Sequence, residues 1–387
     1  MSCEATRIEV SSSMRFWQRG CWFSGNTVRG GSDVCSCMAG WPVQRKVTEE
    51  VGLGEKVKAY VQAEYGEESA REHEDDARAL DQLRERAVER PAGSPESARA
   101  ALCKYHAALC QVQARFPVSR DRAHVRVAFP WTDSFRPRSR ASIHSIHFEK
   151  AAVLFNLGAL HTRRASSTSQ PNSLKAQSTE WMRASSFFSL LHDSESSKVD
   201  RGTHDVSLHC ASMLRSLCLA LAQECVYRLA VHDNKSHPAC ARLAIDASSL
   251  FADASSALET GKLSWHVGSL SQFISLRRAL MHAHASYHLA LDLTDDDYIG
   301  ERISRLQAAH DALAPAVKAA SNTSNVGGTL DECEQLLQSV TEYLTRSRAD
   351  NEQVFMQVVQ ASLPEPQVLM CMADGVLISS WELTSNS

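Results

Sequence analysis

The run Ile146-His147-Phe148-Glu149-Lys150-Ala151-Ala152-Val153-Leu154-Phe155-Asn156-Leu157-Gly158-Ala159-Leu160-His161 decides how the rest of the chain is read. From Ala151 to Leu160 apolar residues fall on every side of a helical projection, which predicts a helix buried all round. Gly158 costs about 1 kcal/mol of helix propensity, which makes sense where a neighbouring backbone must pass closely. Asn156 must find partners inside, because an unpaired buried amide costs about 1–3 kcal/mol. The segment is expected to be the central core helix, with one specific polar contact.

Around it lie 387 residues, 43% of them hydrophobic, with a formal net charge of −4. That is enough for one large domain or two ordinary ones, each with a real core. No global basic field points to nucleic acid, and no apolar run approaches the ~18 residues needed to cross a bilayer. The N-terminus has no continuous apolar core behind a basic start, so no secretory signal is expected. Of twelve cysteines, eight are scattered from Cys103 to Cys371 without paired spacing. They are expected to be reduced, buried thiols of a cytoplasmic protein.

Residues 1–45 are rich in Ser, Gly, Cys and Trp, show no sustained period, and are expected to be disordered or foreign to the fold. Helical signals begin at about Lys46. Val57, Tyr60, Val61 and Tyr65 form a short apolar face that ends at Gly66. Residues 67–90 are dense in charge, with Leu80, Leu83, Ala87 and Val88 as the inward stripe and the charged face in water. A turn at 91–95 precedes a helix carrying Leu102, Tyr105, Leu109 and Val112, which Arg115-Phe116-Pro117 ends. Val125, Val127 and Phe129 then alternate as a strand, closed by Trp131, Thr132, Asp133, Ser134 and Phe135. Beyond the central helix, helices are predicted near 174–191, 205–230, 237–259, 268–293, 299–320 and 328–357. Their short connections predict antiparallel neighbours, stacked like a helical repeat without a strict period.

Candidate chemistry is sparse. His209-Cys210-Ala211-Ser212-Met213-Leu214-Arg215-Ser216 resembles a tyrosine-phosphatase loop. It lacks glycine and falls one residue short of the Cys-to-Arg spacing such a loop needs, so a core helix is expected. His284 and His288 share a helical face, with His282 nearby, but no acidic ligand sits at a matching position. No metal, cofactor, small-molecule substrate or catalytic set is expected. In the helix at 237–259, capped by Ser236 with Pro238 in its first turn, Cys240, Ala244, Ala247, Phe251, Ala254 and Leu258 form a core stripe. Ala239, Leu243 and Leu250 lie on an adjacent strip widened by Arg242 and Asp246, which either covers another helix or presents a groove to a partner. Arg136, Arg138 and Arg140 cluster after the strand, where each could add about 1 kcal/mol to contact with an anionic membrane; an exposed polar loop is the plain alternative.

The wording of the central helix closely resembles the signature helix of the BRO1 domain family, the module of Alix, the His-domain tyrosine phosphatase and the rhophilins. The Arg115-Phe116-Pro117 turn, the strand and its Trp131-Thr132-Asp133-Ser134-Phe135 ending resemble the family independently. So do Ala222-Gln223-Glu224-Cys225, the helix from Gly300 to Ala309, and Asp350-Asn351-Glu352-Gln353-Val354-Phe355, in the family's order. The resemblance spans residues 46–365 as one BRO1-type domain; 366–387 depart from the pattern as an atypical tail, and the ends read as those of a fragment or an erroneous gene model. It implies a mostly α fold, an elongated curved stack of solenoid-like (TPR-like) helix hairpins with a small β-sheet near the N-terminal end. It also implies a non-catalytic endosomal adaptor, cytoplasmic and recruited to endosomes, whose concave apolar patch receives the C-terminal amphipathic helix of an ESCRT-III subunit of the Snf7/CHMP4 type. Placed by the Ala222-Gln223-Glu224 landmark, the patch falls at Val226, Ala239 and Leu243, with Lys175 and Arg242 as basic neighbours. Val226 and Ala239 are smaller than their counterparts in Alix, and each lost methylene removes about 0.8 kcal/mol of burial. Pro171 stands where Alix-like members carry an acid, and Phe355 replaces a phosphorylatable tyrosine. Other family members make a Rho-signalling, actin-organising scaffold or the regulatory module of a larger phosphatase the alternatives.

Overall fold

A computed structural model describes residues 41–89, 94–167, 173–199, 202–321 and 326–360. The expectations for residues 1–40, Pro171 and 366–387 therefore lie outside the described residues. Among those described are twelve α-helices and one two-stranded sheet. A first group comprises α1 (Leu53–Tyr65), α2 (Glu67–Glu72), α3 (Glu74–Val88) and α4 (Pro95–Arg115). Gly66, at φ 93°, turns the chain from α1 into α2 in a conformation that side chains resist. Ser94 caps α4 by accepting a hydrogen bond from Ser97 N, and Pro95 fills the first helical position.

The sheet joins β1 (Phe129–Thr132) to β2 (Arg140–Ile143) in antiparallel register, Phe129 opposite Ile143 and Thr132 opposite Arg140. Thr48 bridges Trp131 on its other side. The strand begins later than its alternation suggests. Val125 and Val127 are buried in phase with Phe129 and Trp131, yet Val125 N donates 2.9 Å back to Pro117 O and pairs only in an isolated bridge to Val118. Alternation reported which side faces the core; the backbone hydrogen bonds decided where a ladder exists.

The stack follows: α5 (Ile146–Ser167), α6 (Leu174–Leu190), α7 (Leu208–His232), α8 (His237–Thr260), the single turn α9 (Ser264–Val267), α10 (Leu270–Asp292), α11 (Ile299–Ala320) and α12 (Gly327–Asp350). Each long helix packs on the next, from α5 through to α12, as short connections require. A π-helical turn extends α6 over Leu191–Glu195 and another extends α12 over Asn351–Phe355. Every residue from Ala151 to Leu160 of α5 is buried, so the deciding segment is the core helix its pattern predicts. Asn156 finds its partner in the backbone of Lys46, accepting from N at 2.7 Å and donating to O at 3.2 Å. Gly158 differs in one respect from expectation: what crowds it is not a backbone but the ring of Phe188 on α6, which a Cβ would meet at 2.7 Å.

Several polar residues lie deeper than the sequence suggests. Arg84, assigned to the solvated face of α3, is buried and donates to the buried Glu149 at 3.0 Å; Tyr105 and Trp131 donate to the same carboxylate. One side chain of α5 thus fastens α3, α4 and β1. Asp246 is likewise buried, and Ser236 stands at the N-cap of α8 without making a side-chain cap bond. Ordered packing starts before Lys46, since Val43 is buried and donates to Thr162 Oγ1 at 3.0 Å. Six of the seven described cysteines are buried thiols; Cys110 is exposed, contrary to expectation. No helix among the described residues is long and apolar enough to cross a membrane.

Candidate functional site

The core stripe of α8 buries Cys240, Ala244, Ala247, Phe251, Ala254 and Leu258, and this fixes which face of the helix turns outward. Ala239, Leu243 and Leu250 are left half-buried beside it, and Arg242 is exposed. The start of α8 is tied to α7 through α10: Tyr227 shares a 3.0 Å hydrogen bond with His288 Nε2, and His237 Nδ1 lies 3.1 Å from His288 Nδ1. Val226, adjacent to Tyr227, is half-buried. The first turn of α6 reaches the same part of α7, because Ser178 donates to Ala222 O at 3.2 Å and Cys225 Sγ lies 4.0 Å from Gln177 Oε1. Lys175, two residues before Gln177, is exposed there. The structure therefore brings Lys175, Val226, Ala239, Arg242 and Leu243 to neighbouring parts of α6, α7 and α8.

Beneath them is a charged network that the sequence reading missed. Glu224, fully buried, takes Arg228 Nη2 at 2.8 Å and Arg277 Nη1 at 2.8 Å, and both arginines also reach Glu332 at 2.8 Å. Burial alone would raise the Glu224 pKa, but Arg277 and Arg228 outweigh it and hold the carboxyl below its ordinary value. A Glu in the middle of an apolar helical run, with Arg four residues on, was the available signal. The network locks α7, α10 and α12 together and gives the surface above it a rigid base.

The histidines that invited a metal reading serve as packing and hydrogen-bonding groups. His284 packs half-buried against Tyr227, with ring centroids 5.3 Å apart, and desolvation among its neighbours pushes its pKa well down. Burial, with His237 beside it, lowers His288 to about 4. The phosphatase-like segment starts α7, where Ser207 caps the helix by accepting from Cys210 N. Burial, with Asp205 adding to it, pushes the Cys210 thiol well up, the opposite of an activated nucleophile. Phe355 packs against the small cluster of Ile299, Ile303, Leu306 and Leu344.

The three arginines of the basic cluster have different surroundings. Arg136 stacks over the Trp265 ring at 4.3 Å and donates to the Trp265 carbonyl. Arg140 pairs with Glu49. Arg138 is exposed and shows no ion pair among the described residues. Cationic side chains alternate along the loop, but two of the three are already engaged.

These features define the class: a stack of α-helical hairpins fastened at one end to a short antiparallel sheet. The BRO1-like domain family matches residues 41–385, and the chain belongs to that family. It is 32% identical over 350 residues to the vacuolar-sorting protein BRO1 of Arabidopsis thaliana, covering 88% of this chain and 40% of that protein. It is 28% identical over 327 residues to ALG-2 interacting protein X of Dictyostelium discoideum, again spanning 40% of the relative's length and 82% of its own. Among solved structures, the ALIX BRO1 CHMP4C complex superposes with a TM-score of 0.69 at 24% identity, covering 89% of this chain and 99% of that one. A structure described as the basis for endosomal targeting by the Bro1 domain gives a TM-score of 0.73 at 17% identity, covering 90% and 98%. At those identities the two structures establish the fold.

Proposed function

We propose that the chain is a non-catalytic adaptor of endosomal sorting that receives an amphipathic ESCRT-III helix of the CHMP4 type on the α6–α7–α8 face. The observation that supports this reading is that the successively packed helices α6, α7 and α8 carry three half-buried apolar side chains, Val226, Ala239 and Leu243, and two exposed cations, Lys175 and Arg242. The ligand helix lays its apolar side on the former and its acidic flank against the latter. Family membership and the match to a BRO1 domain complexed with CHMP4C support the choice of partner. The small Val226 and Ala239 leave Leu243 as the largest apolar contact, so affinity is concentrated on one residue.

Titration of the C-terminal helix of a CHMP4-type subunit tests this. Burying Leu243 is worth about 1.5–3 kcal/mol, so Leu243→Asp weakens binding by roughly tenfold to beyond a hundredfold. Because Leu243 also packs partly against the core, the exposed Arg242→Glu serves as a second variant that should weaken binding with the thermal transition unchanged. Wild-type affinity in both variants would overturn the site. The role places the protein in the cytoplasm with recruitment to endosomes. Peripheral contact with an anionic membrane through the 136–140 loop belongs to the same reading, with Arg138 as its uncommitted cation and Arg136 and Arg140 able to take part only by leaving Trp265 and Glu49.

A further inference from the structure

In the loop before β1, the alternation that buries Val125 and Val127 turns His124 and Arg126 the other way. The loop carrying them is closed on itself. Asp121 N donates to Ser119 Oγ at 3.0 Å, Ala123 N to Asp121 Oδ1 at 3.1 Å, and Val125 N to Pro117 O at 2.9 Å; His124 Nδ1 lies 2.8 Å from Ser119 Oγ. Its cationic side chains are thus held by a fixed backbone, and the one carboxylate of the loop is occupied by the loop's own amide. Opposite stands α1, contributing Lys56, Tyr60 and Glu64, with Tyr60 seated edge-on against Phe116 at 6.0 Å. His144 adds a ring whose Nδ1 is buried without a partner among the described residues. Between these walls lies a cleft of about 470 Å³.

Lys56, Arg122 and Arg126 all line this cleft, all are exposed, and none of their side chains makes an ion pair or hydrogen bond among the described residues. A single acid, Glu64, faces them. In a chain whose formal net charge is −4, three cations around one small cleft repel one another, and the one carboxylate there offsets only part of their charge. An anion entering the cleft removes that repulsion. Two guanidinium forks and an ammonium group match the several oxygens of a phosphomonoester better than a lone carboxylate, and the Tyr60 hydroxyl supplies a further donor. The volume suits one compact head group.

We infer that the cleft between α1 and the 117–126 loop binds a compact polyanion bearing phosphomonoesters, held by Lys56, Arg122 and Arg126. The site is independent of the helix-docking reading, since neither α1 nor this loop belongs to the α6–α7–α8 face. The same chemistry is offered by a soluble polyol phosphate and by a phosphorylated inositol lipid head group.

Calorimetric titration of the full chain with inositol hexakisphosphate tests the inference, inorganic phosphate serving as competitor. Expected is one saturable site that weakens as salt rises, as exposed charge–charge contacts do. The double variant Arg122→Glu/Arg126→Glu should bind at least about tenfold more weakly, since a charged hydrogen bond carries about that factor. Arg278→Glu, an equally exposed change on α10, should leave binding unaltered. Should the double variant fail to fold by circular dichroism, Arg126→Gln keeps the comparison open with a smaller expected loss. Flotation with phosphatidylcholine vesicles containing phosphatidylinositol phosphates separates the two sources: capture that the same variants lose assigns a lipid head group, and soluble binding without capture assigns a free polyol phosphate. No binding by the wild type, or equal binding by wild type and the Arg122/Arg126 variants, overturns the site.

Discussion

Gly158 shows how a single residue records its neighbour. Alanine there would add helix propensity worth about 1 kcal/mol. Its Cβ would also stand 2.7 Å from Phe188 Cζ and 2.8 Å from Cε1, inside a core with no spare room. Overpacking of this kind costs about 1–3 kcal/mol, so Gly158→Ala should be destabilising on balance. Combining it with Phe188→Leu should cost less than the sum of the two changes, because the smaller side chain vacates the contested space. Urea unfolding of the four proteins measures the coupling; strict additivity would mean that Phe188 is not what excludes a side chain. The sequence made the close approach legible, but not whether backbone or ring causes it, because the glycine pattern is silent about the partner. Glu149 teaches the converse. Its charge hid a fully buried position that only the Arg84, Tyr105 and Trp131 donors explain.

At the scale of elements, apolar periodicity foretold the long helices closely: 299–320 coincides with α11, and the stripe of α8 is buried in full. Legibility failed where polar groups cross between helices. Asp246, on the strip beside the core stripe of α8, is buried despite its charge; Glu224, Arg228 and Arg277 meet from two helices that sequence proximity does not connect. The candidate face was legible only through likeness to a family, since Val226, Ala239 and Leu243 carry no signal beyond partial apolarity. Their helices share a pH-sensitive seam. His288 has a pKa of about 4 against an ordinary 6.5, because burial disfavours its charged form and His237 adds to the effect. Between those values the unfolded chain binds a proton that the folded chain refuses, so stability should decline as pH falls from about 6.5, with the loss complete below about 4. His106 titrates to about 4 for the same chief reason and contributes in the same window. His288→Gln should therefore lessen the decline without abolishing it. Urea midpoints at neutral pH and at about pH 5 compare the two proteins; an equal decline in both would show that His288 is not one of the groups responsible.

For the whole molecule, the question is what joins its N-terminal strand-and-helix region to the hairpin stack. Lys46 has its backbone on Asn156 of α5 and its ammonium 2.6 Å from Asp205, with Thr203 Oγ1 at 2.7 Å. Asp205 in turn accepts Ser134 N at 2.7 Å, just beyond β1. One ion pair, with both side chains fully buried, thus gathers the entry strand, the sheet, the central helix and the turn before α7. Partners separated by 159 residues leave no local trace, so no periodicity could have announced them. The stability of such a pair lies less in its net worth than in the penalty for breaking it. Lys46→Met strands a buried carboxylate and should cost about 3–5 kcal/mol; Asp205→Asn strands the ammonium at similar cost. Because the double variant strands no charge, its loss should fall well below the sum, which a urea-denaturation cycle reads directly. Since the pair sits where the parts meet, near- and far-ultraviolet dichroism should decline together in every variant. Additive losses, or a sheet region that melts ahead of the stack in wild type, would show that the junction lies elsewhere.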